Sequence, residues 1–323
     1  MEIIEIKNLR LGFNCACGFC EAIHNISFSL RKGELHALVG ESGCGKTISA
    51  MSILRLLPKN AKITGGEIYY DGQNLLNLSE REMNKIRGAK IALIPQDPMT
   101  SLNPLYTIEN QLLEVIKIHQ GLEGHDAYQK AIEALELVQI PCPELRMKSY
   151  PHEFSGGMKQ RAIIAMALAC NAEVIIADEP TTALDVTIQA QIMNLLKEIK
   201  EKQGTSILLI THDLALVKEN ADRISVMYAG DIVESGNNSE FFACPKHPYT
   251  IALLNSLPNS GKGRLETISG QPPSIQQGIS GCKFHPRCKE CMEICVSAKP
   301  SETSVSRTHS AKCFLLNKKG VDF

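Results

Sequence analysis

Three glycines, a lysine and a threonine fall within Gly40-Glu41-Ser42-Gly43-Cys44-Gly45-Lys46-Thr47. Glycines at this spacing let the backbone bend until its N–H groups converge on an anion at the start of a helix. Lys46 then pairs with the β- and γ-phosphates of a nucleoside triphosphate, and the Thr47 hydroxyl binds Mg²⁺. The plainer alternative is a glycine-rich turn with a surface lysine. The apolar run 35–39 before the loop and the run 48–54 after it supply the strand and helix that a phosphate cradle requires.

A second chemical group closes the apolar run Val174-Ile175-Ile176-Ala177 with Asp178-Glu179. Adjacent carboxylates at the end of a buried strand are costly unless a metal or acid/base role uses them. Asp178 can hold Mg²⁺ through water, and Glu179 can orient or deprotonate an attacking water. His212 stands at the end of another apolar run, 206–210. A lone histidine is more often structural, but at the tip of a core strand it is a candidate for the γ-phosphate. Gln96 ends the run 91–94 before a proline-rich loop, which places it at the rim of a sheet. Ser155-Gly156-Gly157 opens an apolar helix whose N-terminus suits an anion, or is simply capped by the serine. Phe13 is either a core residue or a platform for an adenine ring.

The chain has 12 cysteines, which in a long chain with a nucleotide loop point to metal rather than to a disulfide framework. Cys15, Cys17 and Cys20 have no fourth ligand nearby and are expected as free thiols on a loop. Cys282, Cys288, Cys291, Cys295 and Cys313 crowd into a short tail with little apolar material for a core, so a bound metal is a source of order there. Thiolates suit Zn²⁺ or an iron–sulfur cluster, and the pair Cys288-x-x-Cys291 leans toward zinc.

The elements that must position these groups are legible. Residues 2–11 and 23–30 read as strands before the glycine loop, and 65–72 as a hairpin strand. Ser79 caps a short helix, and helical periodicity covers 107–120, 126–138 and 186–202. Residues 222–228 and 231–234 form a hairpin around Ala229-Gly230, and 258–281, rich in Pro, Gly, Ser and Gln, read as a linker. With 34 basic and 35 acidic residues the net charge is −1, so nucleic acid is not an expected partner. No apolar run reaches the roughly 18 residues of a membrane span, and the N-terminus lacks the charged region of a signal peptide, so a cytosolic chain is expected.

The ordered set of the glycine loop, Gln96, Ser155-Gly156-Gly157, Asp178-Glu179, a turn ending at Asp185, and His212 resembles an ATP-binding-cassette (ABC) ATPase over residues 1 to about 255. The resemblance implies an α/β P-loop cassette: a RecA-like core sheet, an antiparallel β subdomain and an α-helical subdomain. It implies a bound ATP with Mg²⁺, held by residues 40–47, with Thr47, Gln96 and Asp178 toward the metal. Lys46, Glu179 and His212 would serve catalysis, and Phe13 would stack on adenine. Ser155-Gly156-Gly157 would complete the site of a second cassette, packed head to tail.

A narrower resemblance rests on Gln96-Asp97-Pro98-Met99-Thr100-Ser101-Leu102-Asn103-Pro104, on Phe154-Ser155-Gly156-Gly157-Met158, and on His247-Pro248-Tyr249-Thr250 with the cysteine-bearing tail. These look like the ATPase subunits of oligopeptide, dipeptide and nickel importers. The division implied is an ATP-binding domain over 1–257 and a linker with a Cys-rich C-terminal extension over 258–323. The tail resembles a motif binding a [4Fe–4S] cluster through Cys282, Cys288, Cys295 and Cys313, with Cys291 as a possible substitute. The implied partners are a related second ATPase subunit, two membrane permease subunits and, indirectly, an external substrate-binding protein. The chain would sit peripherally at the cytoplasmic face of the membrane and drive import of peptides, or alternatively of nickel. Cassettes for repair or metal-cluster assembly, and P-loop kinases, form the rival classes; a kinase leaves the signature and His212 unexplained.

Overall fold

The computed structural model describes residues 1–16, 18–182, 184–257 and 268–318. Its strands are β1 (Glu2–Cys15), β2 (Gly18–Arg31), β3 (Leu35–Val39), β4 (Ala61–Tyr70), β5 (Gln73–Asn74), β6 (Ile91–Ile94), β7 (Val174–Asp178), β8 (Ser206–Thr211), β9 (Arg223–Tyr228), β10 (Asp231–Asn237), β11 (Thr303–Ser304) and β12 (His309–Ala311). Two compact units result, one drawn from Met1–Arg31, His36–Leu76 and Thr211–Phe323, the other from Lys32–Leu35 and Asn77–Ile210.

In the first unit an antiparallel sheet runs β2-β1-β4-β5. Alternation along β1 buries Ile4, Ile6, Leu9 and Leu11, which face Leu30, Ile26 and Ile23 of β2 in a shared apolar layer. Both strands are longer than the expected 2–11 and 23–30, because the polar residues flanking them still pair as far as Cys15 and Gly18. β3 lies parallel to β9, which turns through Ala229-Gly230 into antiparallel β10 as the sequence indicates. The tail then adds β12 to β10, and β11 to β12. That addition was not foreseen. The tail takes part of its order from a host sheet and from buried polar groups: Glu234 accepts from His309 Nε2 at 2.7 Å and from the N–H groups of Lys246 and His247, each at 2.8 Å. Residues 258–267 of the expected linker, and Cys17, lie outside the described residues; 268–281 contain no helix or strand.

In the second unit β6, β7 and β8 are parallel, and every residue of β7 is buried. Such two-sided burial explains why their sequences are continuous apolar runs. Helices Ile108–Gln120 and Gly124–Leu137 form as their periodicity requires, burying Leu112, Ile116, Ala131 and Leu135. Thr107 caps the first helix, and Gly121 ends it in the left-handed conformation. Ser79 and Glu82 make a reciprocal capping box at the start of Glu80–Ile86. Among the described residues no helix is long and apolar enough to cross a membrane.

Candidate active site

The glycine loop joins β3 to the helix Lys46–Ile53, as its sequence demands. Two glycines are structurally compelled. At Gly40, φ is +154° and a Cβ would run into the Met227 carbonyl; at Gly45, φ is +107° and a Cβ would lie 2.6 Å from Ile23 Cδ1. The loop is tethered to the β9–β10 turn, where Gly230 N–H donates to the Cys44 carbonyl at 2.9 Å. Lys46 is 4% exposed, and its ammonium donates to the carbonyls of Gly40 (2.8 Å) and Glu41 (3.1 Å). The lysine therefore lies inside the curl of the loop. Cys44 is buried; desolvation raises its thiol pKa, although the Lys46 charge pulls it back. Ser42 and Gly43 are exposed and Thr47 is half-buried on the first helical turn. In the same unit His212 is exposed directly after β8, and Asp213 caps the next helix by accepting from the N–H groups of Ala215 and Leu216. Phe13 is half-buried on β1 opposite Cys20, not in the core.

The second unit holds the acid pair. Asp178 is 2% exposed at the end of β7, and Glu179, half-buried, follows in a left-handed conformation (φ 46°). Its N–H donates to the Ile210 carbonyl at 2.8 Å, so the neighbouring strand pins the turn. The carboxylate accepts from Gln96 Nε2 at 2.9 Å and from Thr182 Oγ1 at 3.0 Å, both at Oε2. Gln96 and Glu179, 83 residues apart, thus meet at one carboxylate oxygen. Thr182 was missed from sequence, although its place three residues after Glu179 suits a turn that folds back on the acid. Ser155 caps the helix Gly156–Ala169, its Oγ accepting from Met158 N–H at 3.3 Å, and Ser155 and Gly156 are exposed at the helix start.

In the tail, Cys282, Cys288, Cys295 and Cys313 line one small pocket with His247 and Phe284. Cys291 is exposed and does not line it. Burial, then the charge of neighbouring thiols, pushes Cys282 and Cys288 up to about 11 and raises Cys313. Among the described residues no group of three or more His, Cys, Asp or Glu stands so as to hold a metal ion, so the expected zinc or iron–sulfur site finds no support in the arrangement of these cysteines. Cys15 and Cys20 lie on the paired ends of β1 and β2 rather than on a loop, where Cys15 faces Gly18 and Cys20 faces Phe13.

A strand, a glycine loop and a helix carrying a buried lysine, with a parallel strand ending on an acid pair, define the class of ABC-type ATPases. Residues 23–182 match the family described as ABC transporter, and residues 233–295 match the oligopeptide/dipeptide transporter, C-terminal region. Residues 148–218 also match an AAA domain, putative AbiEii toxin family. The chain is 46% identical to the dipeptide transport ATP-binding protein DppD of Bacillus subtilis, over 98% of this chain and 96% of that one. It is 48% identical to the oligopeptide transport ATP-binding protein OppD of Escherichia coli, over 93% and 89%. Among solved structures, a dimeric post-hydrolysis state of the ATP-binding cassette MJ0796 with ADP and Pi is similar at TM-score 0.66 and 30% identity, over 73% of this chain and 98% of that one. The chain belongs to the ATP-binding subunits of oligopeptide/dipeptide ABC transporters.

Proposed function

We propose that the chain hydrolyses ATP to energise import of di- or oligopeptides through partner membrane subunits, from a peripheral position at the cytoplasmic face of the membrane. The observation that carries the chemical part is the Glu179 carboxylate, held by Gln96 and Thr182 at the end of a buried strand. The peptide substrate follows the named function of the relatives.

Residues 1–257 act as the ATP-binding domain and 258–323 as the C-terminal region of the peptide-transporter type. Residues 40–47 cradle the phosphates, Phe13 stacks on adenine, and Lys46 and His212 neutralise charge on the transferred phosphoryl group. Glu179 accepts the proton of the attacking water. Thr47, Gln96 and Asp178 offer a hydroxyl, an amide and a carboxylate, the oxygen donors that suit Mg²⁺, which would neutralise phosphate charge when bound. Ser155-Gly156-Gly157 completes the site of a second, related cassette, giving a heterodimer beneath two permease subunits, with an external binding protein delivering substrate.

The four thiols of the tail pocket, Cys282, Cys288, Cys295 and Cys313, would hold a [4Fe–4S] cluster, with Zn²⁺ as the alternative. They are soft donors that line one pocket, the ligand type such a cluster takes. The group would supply structural order. ATP-dependent uptake of a labelled dipeptide by vesicles holding the assembled transporter tests the main reading. Uptake that is lost without ATP supports it; ATP hydrolysis that no peptide stimulates and no peptide transport accompanies overturns it.

A further inference from the structure

Glu41, second residue of the glycine loop, is gripped from outside the loop. Arg287 Nη1 donates to Glu41 Oε2 at 2.6 Å and Nη2 to Oε1 at 2.9 Å, with the arginine side chain 5% exposed. The same guanidinium donates through Nε to the Ser269 carbonyl at 3.0 Å and through Nη1 to the Tyr228 hydroxyl at 3.4 Å. Glu41 N–H donates to the Tyr249 hydroxyl at 2.9 Å, and the Glu41 carbonyl receives the Lys46 ammonium. Next to this contact Tyr228 packs at a tilt against Tyr249 (centroids 4.6 Å apart) and edge-on against Phe284 (5.2 Å).

A planar guanidinium facing a planar carboxylate through two parallel hydrogen bonds fixes direction as well as distance. Burial sharpens the dependence, because removing one partner strands the other charge away from water. Glu41 is thereby held at its amide, its carboxylate and its carbonyl. The carbonyls of Gly40 and Glu41 are the groups that meet Lys46, so whatever fixes Glu41 also fixes where the lysine can go.

We propose that Arg287 is a positioning residue for nucleotide binding: acting through Glu41, it holds the first turn of the glycine loop in the shape that receives the phosphates. The C-terminal segment is then a working part of the nucleotide site. This rests on the reading of residues 40–47 as that site.

The test measures affinity for a fluorescent ATP analogue with Mg²⁺, and ATPase kinetics, in the assembled transporter. Arg287→Gln is expected to bind about ten-fold more weakly, in the range of measured site-to-site couplings. KM rises while kcat at saturation changes less than about three-fold, since the chemical groups are untouched. Arg287→Lys, which keeps the charge and loses the fork, falls between. Glu41→Gln with Arg287→Gln together binds no more weakly than the weaker single variant, because both remove one contact. If Arg287→Gln does not fold, Arg287→Lys and Glu41→Gln carry the comparison. A lowered melting temperature with unchanged affinity overturns the proposal, as do additive losses in the double variant. Lys46→Ala separates the two readings: normal affinity there would overturn the loop assignment itself, whereas lost binding there beside unchanged binding in Arg287→Gln would overturn the clamp alone.

Discussion

Gln96, in the loop just after β6, donates its side-chain amide at 2.9 Å to Glu179, the residue just after β7, so the loops that follow two paired parallel strands meet at one carboxylate. A loop displacement that breaks this contact changes the orientation of Glu179 without moving the strand beneath it.

Replacing Glu179 by Gln keeps the shape and leaves an oxygen to accept from Gln96 and Thr182, but removes the basicity. ATP binding and melting temperature should stay at parent values while hydrolysis in the assembled complex falls by about two to four orders of magnitude, the contribution of a general base. Parent-rate hydrolysis by Glu179→Gln in steady-state phosphate release would sink the assignment.

Ser155→Arg places a long cation at an exposed helix start while removing a cap worth about 1 kcal/mol. In a composite dimer the affected active site is the one whose glycine loop belongs to the other cassette. Selective loss of turnover at that site, read by single-site trapping of labelled nucleotide, is expected. Full activity of a strictly monomeric preparation, checked by light scattering during turnover, would contradict a composite site.

Much of this site was written in the sequence, because the glycine loop, the acid pair and the serine cap are local. The glycine loop must join β3 to its helix, Asp178 must end β7, and Ser155 must cap its helix, whatever the rest of the chain does; the contacts of Lys46 with the Gly40 and Glu41 carbonyls were not read from the sequence, which put the lysine on phosphates. The parts that escaped were the non-local polar pairings. Arg287 stands 246 residues from Glu41, and His309 stands 75 from Glu234; neither has a local motif, since any carboxylate could have met them. Strand lengths were underestimated for a related reason: hydrophobic alternation stops at Leu11, whereas backbone pairing continues to Cys15.

Two buried histidines make stability sensitive to acid. Burial pushes His247 from 6.5 down to about 4, opposed by the Glu234 charge; burial, then the Arg223 charge, pushes His36 to about 3. Both rings are placed as neutral acceptors: His247 Nδ1 accepts from Tyr249 N–H, and His36 Nε2 accepts from Ser225 Oγ. Because the folded values lie below the unfolded one, the unfolded chain takes up protons first. Stability is full above pH 6.5 and is lost as pH falls toward about 4 and then 3, with a slope of about 1.4 kcal/mol per pH unit for each histidine. Urea midpoints measured at pH 7.5, 6 and 5 should decline in the parent and decline less steeply in His36→Gln. Identical pH slopes in the two proteins would exclude His36 as a contributor.

The tail thiols give the last prediction. Four cysteines line one pocket, and burial, the largest cause, pushes Cys282 and Cys288 up to about 11. On the proposed reading a cluster bound there would cross-link Cys282, Cys288, Cys295 and Cys313, joining chain on both sides of the short helix Glu293–Ser297. Anaerobic purification should therefore yield iron and acid-labile sulfide in a ratio near one, with broad absorbance in the visible. Cys288→Ser should abolish both, and Cys291→Ser, which changes an exposed thiol outside the pocket, should leave both intact. Because the tail is also held by β12 and by the buried pair of Glu234 with His309, removing the metal should lower the melting temperature without unfolding the chain. Zinc in place of iron would overturn the cluster, loss of iron in Cys291→Ser would overturn the ligand set, and the absence of any metal would overturn both.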